Sequence, residues 1–420
     1  MHEKKNVILQ TIIAVAIIGV VIAIAMTFMS SNKKVKTPPT EQSTETKEPT
    51  QNTNDIVAGV YKDSILRSTD SGLNFENYFK IATTTNAKIG IADVLSIAFH
   101  PDTENRIVVS TYDDGLFLNN EPVNSWKQIS FPPKQIYSFI LDKKDPDNRA
   151  FASGVVSGNG RIFRTDTQGQ AWRAVYAEPG VDTYISALVQ NPQNADVVLA
   201  GSSVGTVVRS VDGGDTWKNI GQNIKGYISD FTFDSSRASF VYMLVSKGKI
   251  YHSTDGGLTW LNWEEEKTKE VKRINEEASA LTRAGNKEGG KKVKASATAL
   301  LERNKTEKAP SGPIFIIADP NTSGTVYLSA SAGIYRSTDY GKFWKPVNII
   351  ESALKFSIPS IAINPNDSNE ISFVAGKTFY RSINGGATWA ITPLDNSRNA
   401  SFVAYDPYDP TIIYIGTSAK

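Results

Sequence analysis

Hydrophobic positions fall into distinct regimes along the chain. From Val7 to Met29 they are nearly continuous, broken only by Gln10, Thr11, Gly19 and Thr27. A helix of that length spans about 34 Å, enough for the roughly 30 Å hydrocarbon core of a bilayer. Residues 30–55 lose apolar periodicity in a Thr, Pro, Glu, Gln and Lys stretch that reads as a flexible stalk. From residue 56 onward, short β-branched and aromatic runs alternate with clusters of Gly, Asp, Asn and Pro, the pattern of many strands joined by turns. One stretch departs from this. Within 264–312 the composition shifts to Glu, Lys, Ala and Asn, and Val271, Ile274, Ala278 and Leu281 recur at helical spacing. Val293, Ala297 and Leu300 or Leu301 repeat that spacing beyond Gly285–Gly290, which predicts a helical hairpin.

The strand-rich region aligns with itself. LRSTDSGLNF (66–75), FRTDTQGQAW (163–172), VRSVDGGDTW (208–217), YHSTDGGLTW (251–260), YRSTDYGKFW (335–344) and YRSINGGATW (380–389) are copies of one hairpin. A degenerate copy ends at Trp126, where the turn has become NNEPVN. The closing aromatics Phe75, Trp126, Trp172, Trp217, Trp260, Trp344 and Trp389 lie 51, 46, 45, 43, 84 and 45 residues apart. The gap of 84 is one repeat carrying the helical insertion. A second marker recurs upstream of each hairpin, around Pro101, Pro146, Pro192, Pro320, Pro365 and Pro407 or Pro410, with DSSR (234–237) filling the remaining slot. Proline presets φ, and Asp or Asn bonds its own backbone, so each marker predicts a turn between strands. A repeat then has four antiparallel strands in roughly 45 residues, a propeller blade.

Seven copies predict an all-β, seven-bladed propeller, with an N-terminal transmembrane helix and the helical insertion added to it. The chain starts on a box hairpin and ends on an Asx-Pro hairpin, so Ser401–Gly416 can pair with Ile65–Tyr78 and close one blade from both termini. Ile56–Tyr61 and Thr411–Gly416 compete for one strand position in that blade, and the pattern leaves the choice open. The expected organisation is a short N-terminus (1–6), a span or signal anchor (7–29), a stalk (30–55) and a propeller (56–420) containing the 264–312 insertion.

The box residues have a structural reading first. Ser68, Asp70 and Gly72 recur as Ser210, Asp212 and Gly214 with Trp217; Ser253, Asp255 and Gly257 with Trp260; Ser337, Asp339 and Gly341 with Trp344; and Ser382, Asn384 and Gly386 with Trp389. The carboxylate can accept turn N–H groups, serine can close the turn, glycine allows positive φ, and the indole can pack between sheets. Thr167 and Asn384 replace the aspartate in two copies, a tolerance expected of a clamp. These residues resemble the BNR or Asp-box repeat, S-x-D-x-G-x-T-W, across 56–420 apart from the insertion. The resemblance implies the propeller fold. It extends to photosystem II assembly-factor-like and sortilin-type propellers, which bind proteins or peptides, and more distantly to xyloglucanase-like glycoside hydrolases. Sialidases fit poorly, since no Arg-Ile-Pro occurs.

Composition narrows the chemistry. There is no cysteine, and only His2, His100 and His252 could serve a histidine-based site, so no cofactor or metal is expected. With 45 basic and 43 acidic residues, a nucleic-acid partner is not expected either. The face away from the box hairpins carries the loops Thr111–Gly115, Gly154–Gly160, Gly201–Gly205, Ser246–Lys249, Ser329–Gly333 and Ala375–Lys377, and the 264–312 insertion is expected there too. Were the protein a hydrolase, Asp113, Asp182 and Asp395 would be its catalytic candidates, since glycoside cleavage needs two carboxylates about 5 to 10 Å apart. The leading expectation is a scaffold that binds a protein or polysaccharide at the cell envelope, with hydrolysis as the alternative.

Lys4 and Lys5 precede the apolar run, while Lys33, Lys34 and Lys36 follow it, so the short leading segment decides for an N-terminus inside and a propeller outside. Ala23-Ile24-Ala25 offers the alternative of signal cleavage and secretion. Protein isolated from membranes is expected to retain Met1–Met29. Sequencing that finds a mature N-terminus at Met26 would show cleavage instead.

Overall fold

Within each repeat the hydrophobic content declines from the inner strands outward, and this gradient orders the blades. Second strands such as Val198–Ser202, Val241–Val245 and Val326–Ala330 are buried at every residue, because sheets cover both their faces. Fourth strands such as Lys218–Asn219 and Lys345–Pro346 are two exposed residues long. The computed structural model describes residues 56–60, 64–78, 80–84, 92–120, 126–133, 135–220, 224–246, 248–350, 353 and 355–418, with backbone alone for 56–60, 80–84 and 120. The expected span (7–29) and stalk (30–55) lie outside the described residues. Among the described residues, no helix is long and apolar enough to cross a membrane.

Asn54–Lys420 is a compact unit of its own. It holds seven antiparallel sheets, blades I to VI at 94–129, 138–177, 185–219, 228–262, 313–346 and 360–393, and blade VII from 399–418 with 65–77. First strands of successive blades touch in order, and the first strand of blade VII, Asn399–Tyr405, touches that of blade I, Val94–Phe99. The ring is closed. Seven hydrophobic layers fill the seams between neighbouring blades. Each closing aromatic enters one of them, as Trp260 does between blades III and IV and Trp344 between blades IV and V. An indole of about 200 Å² buried this way contributes on the order of 5 kcal/mol before entropy.

Closure settles the open strand position. Ile413–Ser418 occupies it, with Ile65 opposite Gly416, Leu66 opposite Ile415 and Ser68 opposite Ile413. Ile413, Tyr414 and Ile415 bring large side chains to both faces and are fully buried, whereas IVAGV (56–60) offers Ala58 and Gly59 in its middle. Ile56–Val60 instead pairs with Lys80–Thr84, and that hairpin joins the outer edge of blade I through a parallel bridge between Ile81 and Trp126.

The Asx turns form as their chemistry requires. Asp142 Oδ1 accepts the N–H groups of Lys144 and Asp145, Asn191 those of Gln193 and Asn194, and Asp319 those of Asn321 and Thr322. In the repeat without proline, Asp234 does the same for Ser236 and Arg237. Blade I places His100 there, and its Nδ1 accepts from Asp102 N at 3.2 Å.

The insertion is a pair of antiparallel-packed helices, α1 (Trp263–Arg283) and α2 (Lys287–Thr306). It does not lie over the loop face as the sequence suggested. The fourth strand of blade IV, Leu261–Asn262, is two residues long, and the Asn262 side chain accepts from Glu264 N and Glu265 N, starting α1 beside the box hairpins. Trp263 donates its Nε1–H to the carbonyl of Tyr340 in the blade V box hairpin at 2.8 Å. Phe343, which replaces the threonine of S-x-D-x-G-x-T-W, lies 3.6 Å from the Arg303 guanidinium and 5.2 Å from the Lys267 ammonium. The base of the hairpin therefore grips the box of blade V. Its inner stripe of Ala278 and Ala297 is buried where the helices meet, with Gly290 against the Ala278 carbonyl.

His252 is stacked on Trp263 (3.8 Å, 11°) and on Phe240 (5.6 Å, 10°) at that base. Burial pulls its imidazole down to about 4. Between the ordinary value of 6.5 and that lower one, the unfolded chain binds a proton that the folded chain does not. Stability is therefore expected to fall as pH drops through this window, by up to about 3 kcal/mol. His252→Phe should remove that component, read from denaturant midpoints of both proteins at pH 7 and pH 4.5. Removing 401–420 deletes two strands of blade VII and exposes edges on its neighbours. The 56–400 fragment should lose the cooperative melting transition, and an unchanged melting temperature with monomeric behaviour would contradict closure by these strands.

Candidate functional site

The six box hairpins share one hydrogen-bond pattern. Ser68 Oγ accepts Gly72 N at 2.8 Å and donates to Asp70, whose Oδ1 accepts Asn74 N at 2.9 Å. The same bonds join Ser210, Asp212, Gly214 and Thr216; Ser253, Asp255, Gly257 and Thr259; Ser337, Asp339, Gly341 and Phe343; and Ser382, Asn384, Gly386 and Thr388. Thr165 and Thr167 reproduce it with hydroxyls alone. Bonds from the turn and from Ser68 hold the Asp70 carboxyl down to about 2. The glycines meet two demands together. Gly72 and Gly214 have φ of 81° and 82°, and a Cβ on either would come within 2.3 Å of Phe379 or Phe151 in the preceding blade. The arginines ahead of the box stitch blades together: Arg164 donates to the carbonyl of Gly213, and Arg209 to that of Gly256, each in the next box. Every polar group of these hairpins named here is occupied by the fold.

The candidate carboxylates lie on the opposite face, and all three are exposed. Asp113 sits in the blade I turn that Thr111 closes by bonding Gly115 and Asp114. Asp182 lies at φ 58° in the connection from blade II to III, and Asp395 in that from VI to VII. No hydrogen bond or ion pair joins any two of them among the described residues. Asp113 does lie near Asp114, whose carboxyl is raised by burial and by the charges of Asp113 and Asp93, with Arg398 opposing. Glu178 is buried and held by the Tyr176 hydroxyl at 2.8 Å and by Thr206. Among the described residues, no cluster of His, Asp and Glu could hold a metal ion.

This face instead assembles tyrosines. Tyr112 meets Tyr137 edge-on at 6.2 Å, Tyr137 stacks on Tyr184 at 4.6 Å and 25°, and Tyr184 meets Tyr227 at 5.9 Å. The ladder crosses blades I to IV where the first strands begin. Backbone bonds fix the rungs: Ser203 N to Tyr184 O, Ser246 N to Tyr227 O, and Tyr137 N to Ser153 O. Burial pushes all four hydroxyls above the usual range. Asp230, deep in the ring beside Tyr227 yet still meeting solvent, is pushed up to about 7 by burial. Beside the ladder, Val181 (71 %) and Val204 (55 %) stand exposed on loops of the same face, and Phe356 (53 %) stands exposed on it further round the ring, against Gly376 of blade VI.

None of these tyrosines belongs to a motif of the repeat. The ladder's signal was present: Tyr137, Tyr184 and Tyr227 open similar strands as YSF, YIS and YIS, 47 and 43 residues apart, at the blade period. Their contacts run between blades, so no single repeat contains the pairing that makes them a ladder.

No protein-family model matches the chain, and no curated protein matches it by sequence. Solved structures do share its fold. The GH74 xyloglucanase from Xanthomonas campestris matches at TM-score 0.58 and 17 % identity, over 77 % of this chain and 51 % of the enzyme. The Niastella koreensis GH74 enzyme matches at 0.55 and 15 %, over 78 % and 51 %. A structure of YCF48 bound to D1 peptide matches at 0.51 and 14 %, over 78 % of this chain and 94 % of that one. The chain thus spans about half the length of the xyloglucanases. Such identities show the fold alone, a seven-bladed propeller.

Proposed function

We propose that this protein is a binding or assembly scaffold, a propeller of Asp-box repeats held at the outer side of a membrane by residues 7–29, which takes a polypeptide segment on its tyrosine-lined face. The carrying observation is the Tyr112–Tyr137–Tyr184–Tyr227 ladder. Tyrosine supplies large contact area at low entropic cost and is enriched where proteins bind one another. Sugar rings dock on free aromatic faces, whereas Tyr137 and Tyr184 stack theirs on each other and leave ring edges, which suit the side chains of a peptide. The chain's coverage of nearly the whole of a peptide-bound YCF48 supports the same reading. Likeness to xyloglucanases favours the alternative of hydrolysis, for which the exposed Asp113, Asp182 and Asp395 would be the carboxylates to test.

The test captures envelope proteins on the immobilised 54–420 fragment and then measures affinity for the protein found. Tyr184→Ala should weaken that affinity about 30-fold, the scale of an interface hot spot. Leu258→Ser, on an exposed box tip, should leave it unchanged. Turnover of a xyloglucan panel that Asp113→Asn abolishes would overturn the scaffold reading.

A further inference from the structure

The helical hairpin carries an unequal distribution of paired charge. Along its base and middle, cations and carboxylates face one another: Lys267 with Glu264, Lys269 with Glu266, Arg273 with Glu277, Lys305 with Glu302, and Arg303 with both Glu307 and Asp339. The tip differs. From 283 to 301 the chain has Arg283, Lys287, Lys291, Lys292 and Lys294 against the single acid Glu288. All five cations are exposed, and none forms an ion pair among the described residues. Lys287, Lys291 and Lys294 follow a spacing of four and three, so they share one flank of α2. Further along the same flank, Thr298 is small and exposed, and Leu301, two turns beyond Lys294, is 44 % exposed, an apolar side chain that can enter an interface beside the lysines.

The base is held as firmly as the tip is bare. Trp263, Phe343 and Arg303 fix the hairpin to the box of blade V, and α1 of 21 residues reaches about 30 Å from that anchor. We infer that this arm presents its cationic tip to an anionic bilayer surface and so helps set the stance of the propeller on the membrane. Charge complementarity carries the argument. Lysines are compact charges that act on a diffuse field without bidentate geometry, which fits a plane of headgroups. The apolar run Val7–Met29, if it anchors the chain as proposed, would keep such a plane within reach. The arm rises from the box side, so the tyrosine face stays open.

Vesicle flotation with the 54–420 fragment tests this without the anchor segment, since the closed ring and the hairpin both lie inside that compact unit. The fragment should float with vesicles of one-third phosphatidylglycerol at low salt, release as ionic strength rises, and ignore pure phosphatidylcholine. Replacing Lys287, Lys291, Lys292 and Lys294 by Gln keeps strong helix formers on an exposed surface. At roughly fivefold per lysine, the partition constant should fall by at least about 100-fold, with circular dichroism and melting unchanged. Lys272→Gln on the middle of α1 serves as control and should change little. Failure of the wild-type fragment to bind acidic vesicles would overturn the inference, as would equal binding by the quadruple variant or by neutral vesicles. Tighter binding of soluble polyglutamate than of vesicles at equal charge would overturn it too, by naming a polymer as the occupant. None of these outcomes bears on the tyrosine face, whose own test stands apart.

Discussion

Everything in this molecule depends on neighbouring sheets approaching closely enough to share one hydrophobic layer seven times in succession. A Cβ at Gly72 or Gly214 would strike the ring of Phe379 or Phe151, so the box turn is where one blade's rim touches the blade before it. Serine and aspartate hold the turn in that shape, and the arginine just ahead of a box reaches the box of the next blade. The chemistry that looks reactive in the sequence is consumed by assembling the ring. The tyrosine ladder follows from the same constraint, since packing first strands side by side brings residues at their starts into ring-to-ring contact.

Sequence and structure agree wherever the physics is local. An Asx turn is made by a side chain and the two or three N–H groups after it, so Asp142 or Asp319 announces itself within four residues. The box is equally short-ranged, and Asp234 shows that the aspartate, more than the proline, makes the turn. Ring closure was legible by counting hairpins. The identity of the closing strand was not, because Ile413–Ser418 and Ile56–Val60 are both β-rich, and only packing on two faces separates them.

The helical insertion shows the opposite limit. Its helices were readable from apolar spacing, but their place was not. That depended on an outer strand of two residues and on the Asn262 cap, which turn the chain away before it crosses the blade. In hindsight Phe343 was the clue, an aromatic where the repeat has threonine, which makes sense only with something resting on it. Of the candidate site, Asp113 follows Tyr112 and Asp182 lies two residues before Tyr184, so both flank the tyrosines, while Asp395 sits in the connection from blade VI to VII. A list of carboxylates could not foresee that stacked phenol rings would dominate that face.

Blade VII is built from both ends of the chain, which gives the molecule a history as well as a shape. Ile65–Ser68 leaves the ribosome early, while its partner Ile413–Ser418 follows almost 350 residues later. Blades I to VI can form in order as they emerge, each from local hairpins. Throughout that interval the first hairpin has no second strand to lie against, and its edge is open to any other strand nearby. The longest-range pairing in the fold therefore forms after the blades between, and the ring shuts only when Ile413–Ser418 is free to swing back to Ile65–Ser68.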